Sequence, residues 1–137
     1  MSPQVTFPRA NRLVGTLSDW RRVLASHYAR LSPGSLRRRF MANLPDRSVR
    51  LIADRASPDI VLGTEADGRI VGVLEVFHGS DSHAEIGISV EDAYQNQGYG
   101  HALFLDGLAE AERIGVRTAD LYFSSENSGI RRLVTAA

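Results

Sequence analysis

The chain has 137 residues, 43% hydrophobic and 23% charged, with a net charge of zero and no cysteine. This is one domain of ordinary globular composition, able to bury roughly two-thirds of its unfolded surface without covalent staples. Disulfides, thiolate metal sites and a cysteine nucleophile are excluded; no apolar run approaches the roughly 18 residues of a spanning helix, and no apolar signal core opens the chain, so a cytoplasmic protein is expected.

Residues 1–10 contain Pro3 and Pro8 and read as an extended arm of a single 1–137 domain. Arg12 to Leu17 alternates weakly and suits a first strand. Ser18 is a good N-cap with Asp19 in the first turn, and Trp20, Val23, Leu24, Tyr28 and Leu31 recur at helical spacing, predicting a helix to Leu31. Ser32-Pro33 restarts a helix with Leu36 and Phe40 on its inner face and Arg37, Arg38 and Arg39 outward. Pro45-Asp46 opens another short helical stretch.

The pattern then changes to strands. Asp59 to Ala66 and Arg69 to Phe77 flank Asp67-Gly68, a strong hairpin signal. His83 to Val90 alternates, with Ala84, Ile86, Ile88 and Val90 on one face and Glu85, Gly87 and Ser89 on the other. Gly100 to Arg113 reads as a helix stopped by Gly115, Thr118 to Ser124 as a strand, and Ser125 to Ala137 as the start of a last helix. Strand, crossing helix and strand imply a parallel pair. The fold class is α/β, an α+β mixed sheet.

Charge is spread unevenly. All 16 basic residues are arginines, and eleven of them fall in residues 1–57 against three acids, leaving five arginines and 13 acids beyond. We expect these halves to pair within one fold, because no aromatics interleave with the arginines as a single-strand nucleic-acid groove requires. His27, His78, His83 and His101 have no metal-ligand spacing, so no metal site is assigned.

Gln95-x-x-Gly98-x-Gly100 follows a strand and opens a helix. Helix starts leave backbone N–H groups unpaired and carry partial positive charge, and glycines clear the approach of a phosphate. The turn is suited to a pyrophosphate. It has two of the three glycines of a dinucleotide fingerprint, at different spacing, and no lysine exists to build a nucleotide phosphate loop.

The run from Ala84 to Val90, followed by Tyr94-Gln95-Asn96-Gln97-Gly98-Tyr99-Gly100-His101-Ala102-Leu103, resembles the central motif of the GNAT N-acetyltransferase superfamily. The resemblance covers roughly residues 58–135. Leu31-Ser32-Pro33-Gly34-Ser35 with Arg39-Phe40 is similar to an element of bacterial Pat-type protein lysine acetyltransferase domains. The resemblance implies a GNAT-like fold and transfer from acetyl-CoA to an amine, of a small molecule or of protein lysine, in a ternary complex. It implies that backbone groups of Ile88, Ser89 and Val90 pair with pantetheine, and that amides of Gln95, Asn96, Gln97, Gly98, Tyr99, Gly100 and His101 bind the pyrophosphate. Asn127 sits where an amide side chain contacts the cofactor, and the strands on either side of the turn are expected to splay.

Amine acylation needs a base, an oxyanion donor and an acid for the leaving thiolate. Glu85, on the open Gly87–Ser89 face, is the first candidate base; burial there would raise its pKa. Glu75 is the second candidate, or a structural ion-pair partner. The Val90 N–H is the oxyanion donor by family analogy. The last helix holds no tyrosine, so Tyr122 is the candidate acid. The strand pair that normally ends the fold is missing. We expect a homodimer to cover the bare edge of the last strand, the alternative being a fragment of a longer protein; the alternative to an active transferase is an inactive acyl-CoA-binding module.

Overall fold

A computed structural model describes residues 12–13, 17–40, 52, 57–79, 81–123 and 131–134, with the backbone alone for 12–13, 17–18 and 131–134. In chain order the elements are β1 (Arg12–Leu13), α1 (Leu17–Ala29), α2 (Pro33–Phe40), β2 (Ile60–Ala66), β3 (Arg69–His78), β4 (His83–Val90), a 3₁₀ turn (Asp92–Tyr94), α3 (Tyr99–Arg113), β5 (Thr118–Phe123) and β6 (Arg131–Val134).

The strands form one six-stranded sheet in sequence order. All neighbours are antiparallel except β4 and β5, which α3 connects and which run parallel from His83↔Thr118 to Ile88↔Phe123. The β2–β3 hairpin turns on Asp67 at φ 53° and Gly68 at φ 79°, the two left-handed positions that Asp-Gly tolerates at least cost. A bulge between Thr64 and Glu65 shifts the register near that turn.

Strand periodicity divides the core between the two faces of the sheet. Leu62, Leu74, Ile86, Ile88 and Leu121 pack with Leu103 and Ala111 of α3. Val61, Ile70 and Val73 pack with Trp20, Leu24, Tyr28 and Leu36 of α1 and α2 on the opposite side. Gly107 lets α3 approach closely, since a Cβ there would lie 2.3 Å from Leu74 Cδ1.

Three expectations change. Arg131–Val134, placed in a closing helix by the sequence pattern, is a strand paired antiparallel to β5 from Thr118↔Val134 to Leu121↔Arg131. Its four residues alternate poorly, and hydrogen bonding to the β5 edge decides their conformation. The edge of β5 is therefore covered by the same chain, which removes the bare edge from which a homodimer was argued. Arg39 is buried rather than outward, because Ser35, Leu36 and Arg39 share the inner stripe of α2. The 1–10 arm and Asn127 lie outside the described residues, as does the Pro45 stretch apart from a helical Ile52.

The halves of the chain pair as their charges suggest. Arg30 and Arg39 of the basic segment meet Glu91 and Glu75 of the acidic one at 2.9 and 3.0 Å.

Candidate functional site

The glycine turn begins where β4 ends. The Gln95 N–H closes the 3₁₀ turn onto the Asp92 carbonyl at 3.3 Å, and the Gln95 side chain donates to the Val90 carbonyl at 2.9 Å and to Ser35 Oγ at 3.1 Å. Gln95 thus shapes the turn through both its amide and its side chain. Asn96 at φ 62° and Gly98 at φ 95° then bend the chain into α3. Gly98 is the N-cap and supplies no side-chain cap, and the first bond of the helix runs from Ala102 N–H to the Gly98 carbonyl at 3.0 Å. The N–H groups of Tyr99 and Gly100 therefore precede any acceptor within the helix.

The β4 face opposite α3 carries His83, Glu85, Gly87 and Ser89. Register sets Glu75 of β3 and Tyr122 of β5 on either side of Gly87, and Phe77 and Asp120 on either side of Glu85. Arg39 reaches down from α2 onto this surface. A Cβ at Gly87 would stand 2.1 Å from Arg39 Cζ, so glycine makes room for the guanidinium. Arg39 also stacks 4.6 Å from the Phe40 ring.

A cavity of about 170 Å³ opens beside this arrangement, lined by Arg39, Phe40, Phe77, Glu85, Gly87 and Tyr122. It brings Glu85 and Tyr122 together. Glu85 is exposed, so the burial expected of it falls instead on Glu75, which is 2% exposed beneath Arg39. Burial pushes the Glu75 carboxyl up to about 8, while the Arg39 guanidinium bonded to it pulls the other way. Burial lowers Arg39 to about 10, against the charge of Glu85. Burial first, then the charges of Glu85 and Asp120, raises the Tyr122 phenol above its ordinary value.

The expected pantetheine strand is supported from below. Ser89 is buried and its hydroxyl lies 2.8 Å from His27 Nε2. His27 is completely buried, and desolvation lowers it to about 3, so the imidazole is neutral. The recorded β4–β5 pairing runs to Ile88↔Phe123, and the residues opposite Ser89 and Val90, where the splay is expected, lie outside the described set.

The model of the acetyltransferase (GNAT) family matches residues 26–134, which span both α2 and the glycine turn. The chain belongs to that family. No curated protein matches it in sequence. Among solved structures, the GNAT domain of PAT from S. lividans superposes with a TM-score of 0.62 at 23% identity, covering 80% of this chain and 69% of that one. A GNAT acetyltransferase from Brucella melitensis, in complex with acetyl-CoA, gives 0.57 at 17% identity, covering 88% and 82%. The PaiA N-acetyltransferase from Thermoplasma acidophilum, in complex with coenzyme A, gives 0.53 at 16% identity, covering 79% and 76%. At these identities the likeness is one of fold.

In this GNAT domain Glu85 and Tyr122 line the cavity midway along the β4–β5 pair, and Ile88–Val90 continue β4 from there toward the glycine turn. Glu75 lies in the same row as Gly87 but under Arg39 rather than on the cavity wall. Sequence reasoning missed Arg39, Phe77 and His27 as site-shaping residues. Four-residue spacing from Ser35 could have placed Arg39 inward. His27 carried no comparable signal, since its partner Ser89 is 62 residues away.

Proposed function

We propose that this GNAT domain binds acetyl-CoA along Ile88–Val90, with the pyrophosphate on the amides from Asn96 to His101, and acetylates an amine that enters through the cavity beside Gly87. The observation that carries this reading is the juxtaposition of Glu85 and Tyr122 across a cavity of about 170 Å³ on the strand that leads into the glycine turn. Relatives of the same fold crystallised with acetyl-CoA and with coenzyme A support the donor.

In the proposed reaction Glu85 removes a proton from the acceptor ammonium, and the freed lone pair attacks the thioester carbonyl. The tetrahedral intermediate releases its second amine proton to solvent water as the C–S bond breaks. CoA leaves as a thiolate that takes a proton from Tyr122, whose raised pKa keeps the phenol protonated and able to donate. Glu75 holds Arg39 in this reading and does not touch the amine. The acceptor is an amine of a small molecule or a protein lysine. The chain itself contains no lysine, so it offers no side-chain amine to its own donor.

Calorimetry with CoA and acetyl-CoA tests donor binding, and a thiol-release assay over a panel of amines and lysine peptides tests transfer. Binding without thiol release from any acceptor would identify an acyl-CoA-binding module instead. Absence of binding would remove the whole reading.

A further inference from the structure

α2 touches both halves of the proposed site. At its start, Ser32 caps the helix by accepting the Ser35 N–H at 3.1 Å. The same segment is bound to the approach of the glycine turn by Asp92. One Asp92 oxygen accepts the Ser32 N–H at 3.1 Å and the Ser35 hydroxyl at 3.0 Å, and the other accepts the Ser32 hydroxyl at 2.8 Å. The Gln95 side chain adds its bond to Ser35 Oγ. Just upstream, Arg30 donates to Glu91 at 2.9 Å and to the Ile70 carbonyl at 2.9 Å.

At its other end, about 12 Å away by helical rise, α2 places Arg39 over Gly87 and Phe40 on the cavity wall. Ser35 is fully buried, so its hydroxyl has no water to fall back on if Asp92 and Gln95 move away. Burial alone would raise the Asp92 carboxyl, but the bonds from Ser32 and Ser35 outweigh it and hold the pKa below the usual value, which keeps the acceptor oxygens charged.

We propose that Asp92 is a positioning residue that latches α2 to the glycine turn, so that loading the turn with the donor rigidifies the α2 wall of the acceptor cavity. This rests on the reading that the glycine turn takes CoA. The physical content is a shared set of bonds: a diphosphate that immobilises residues 96–101 also restrains Gln95 and Asp92, and through them Ser35 and the helix carrying Arg39 and Phe40. The acceptor then meets a less mobile cavity wall once the donor has bound.

Hydrogen exchange of the α2 amides, with and without saturating CoA, reads this directly. In the native protein CoA should slow exchange across residues 36–40 by about 5-fold or more, the lower end of usual coupling. Ser35→Ala, which leaves the Ser32 cap and the turn in place, and Asp92→Ala should keep CoA affinity within about 3-fold by calorimetry while losing that slowing. A merely structural role would speed exchange equally with and without CoA and leave the CoA-dependent difference intact, which would overturn the proposal. So would unchanged α2 exchange in the native protein on CoA binding. If Asp92→Ala does not fold, Ser35→Ala decides alone. If calorimetry shows no CoA binding to the native protein, the donor reading fails first and the latch with it.

Discussion

The Arg39 guanidinium occupies the space a side chain at position 87 would need, and Arg39 and Gly87 are 48 residues apart in the chain. The same guanidinium bonds Glu75 at 3.0 Å, so three elements meet where β4 passes under α2.

Gly87→Ala should therefore drive Arg39 off Glu75 even though alanine suits a strand better than glycine. Overpacking of this kind costs about 1–3 kcal/mol, and the uncoupling of a buried pair adds to it. Thermal unfolding should show a melting temperature lower by several degrees. An unchanged melting temperature would mean that Arg39 has another place to go.

The two glycines of the turn should respond differently. Gly98 sits at φ 95°, where any side chain is strained by about 1–2 kcal/mol, and its substitution by alanine should lower both melting temperature and CoA affinity. A Cβ at Gly100 would meet only Phe123 Cε1 and Val90 Cγ2, both at an ordinary 3.7 Å, so Gly100→Ala should leave stability nearly unchanged. Calorimetry and melting curves on the two variants check the contrast.

His27 makes the fold sensitive to acid. Its pKa falls from 6.5 in the unfolded chain to about 3 in the fold, so between those values the unfolded chain binds a proton that the folded one refuses. Stability is complete above pH 6.5 and declines as pH drops toward 3, by an amount on the order of 4 kcal/mol from this group. His27→Gln keeps a donor near Ser89 without titrating there, and should flatten the denaturant-midpoint profile over that range.

Glu85→Gln should leave CoA binding intact and lower the rate of thiol release by about 10²–10⁴-fold, the usual contribution of a general base. Glu75→Gln retains a hydrogen-bonding oxygen for Arg39 and should depress the rate far less. Equal losses in the two variants would show that the cavity-lining position of Glu85 is not what matters.

Local signals carried much of the architecture. The Asp67-Gly68 turn located the hairpin, the alternation from His83 to Val90 sorted β4 onto two faces, and Gly98 with Gly100 marked the entry to α3. Each rests on interactions within a few residues, which neighbouring letters report. The closing segment was misread because β6 is four residues long and its conformation depends on an open edge of β5, information that no window of sequence contains.

The sequence by itself determined the mixed sheet and the glycine turn, since periodicity and turn chemistry are properties of consecutive residues, and the motif around that turn carried the resemblance to the family. Only the tertiary structure decided that Glu75 rather than Glu85 is buried, that Arg39 faces inward over Gly87, and that Asp92 holds Ser32 and Ser35. Burial and charge pairing depend on which distant elements share a face of the sheet, and that is settled when helices and strands pack together.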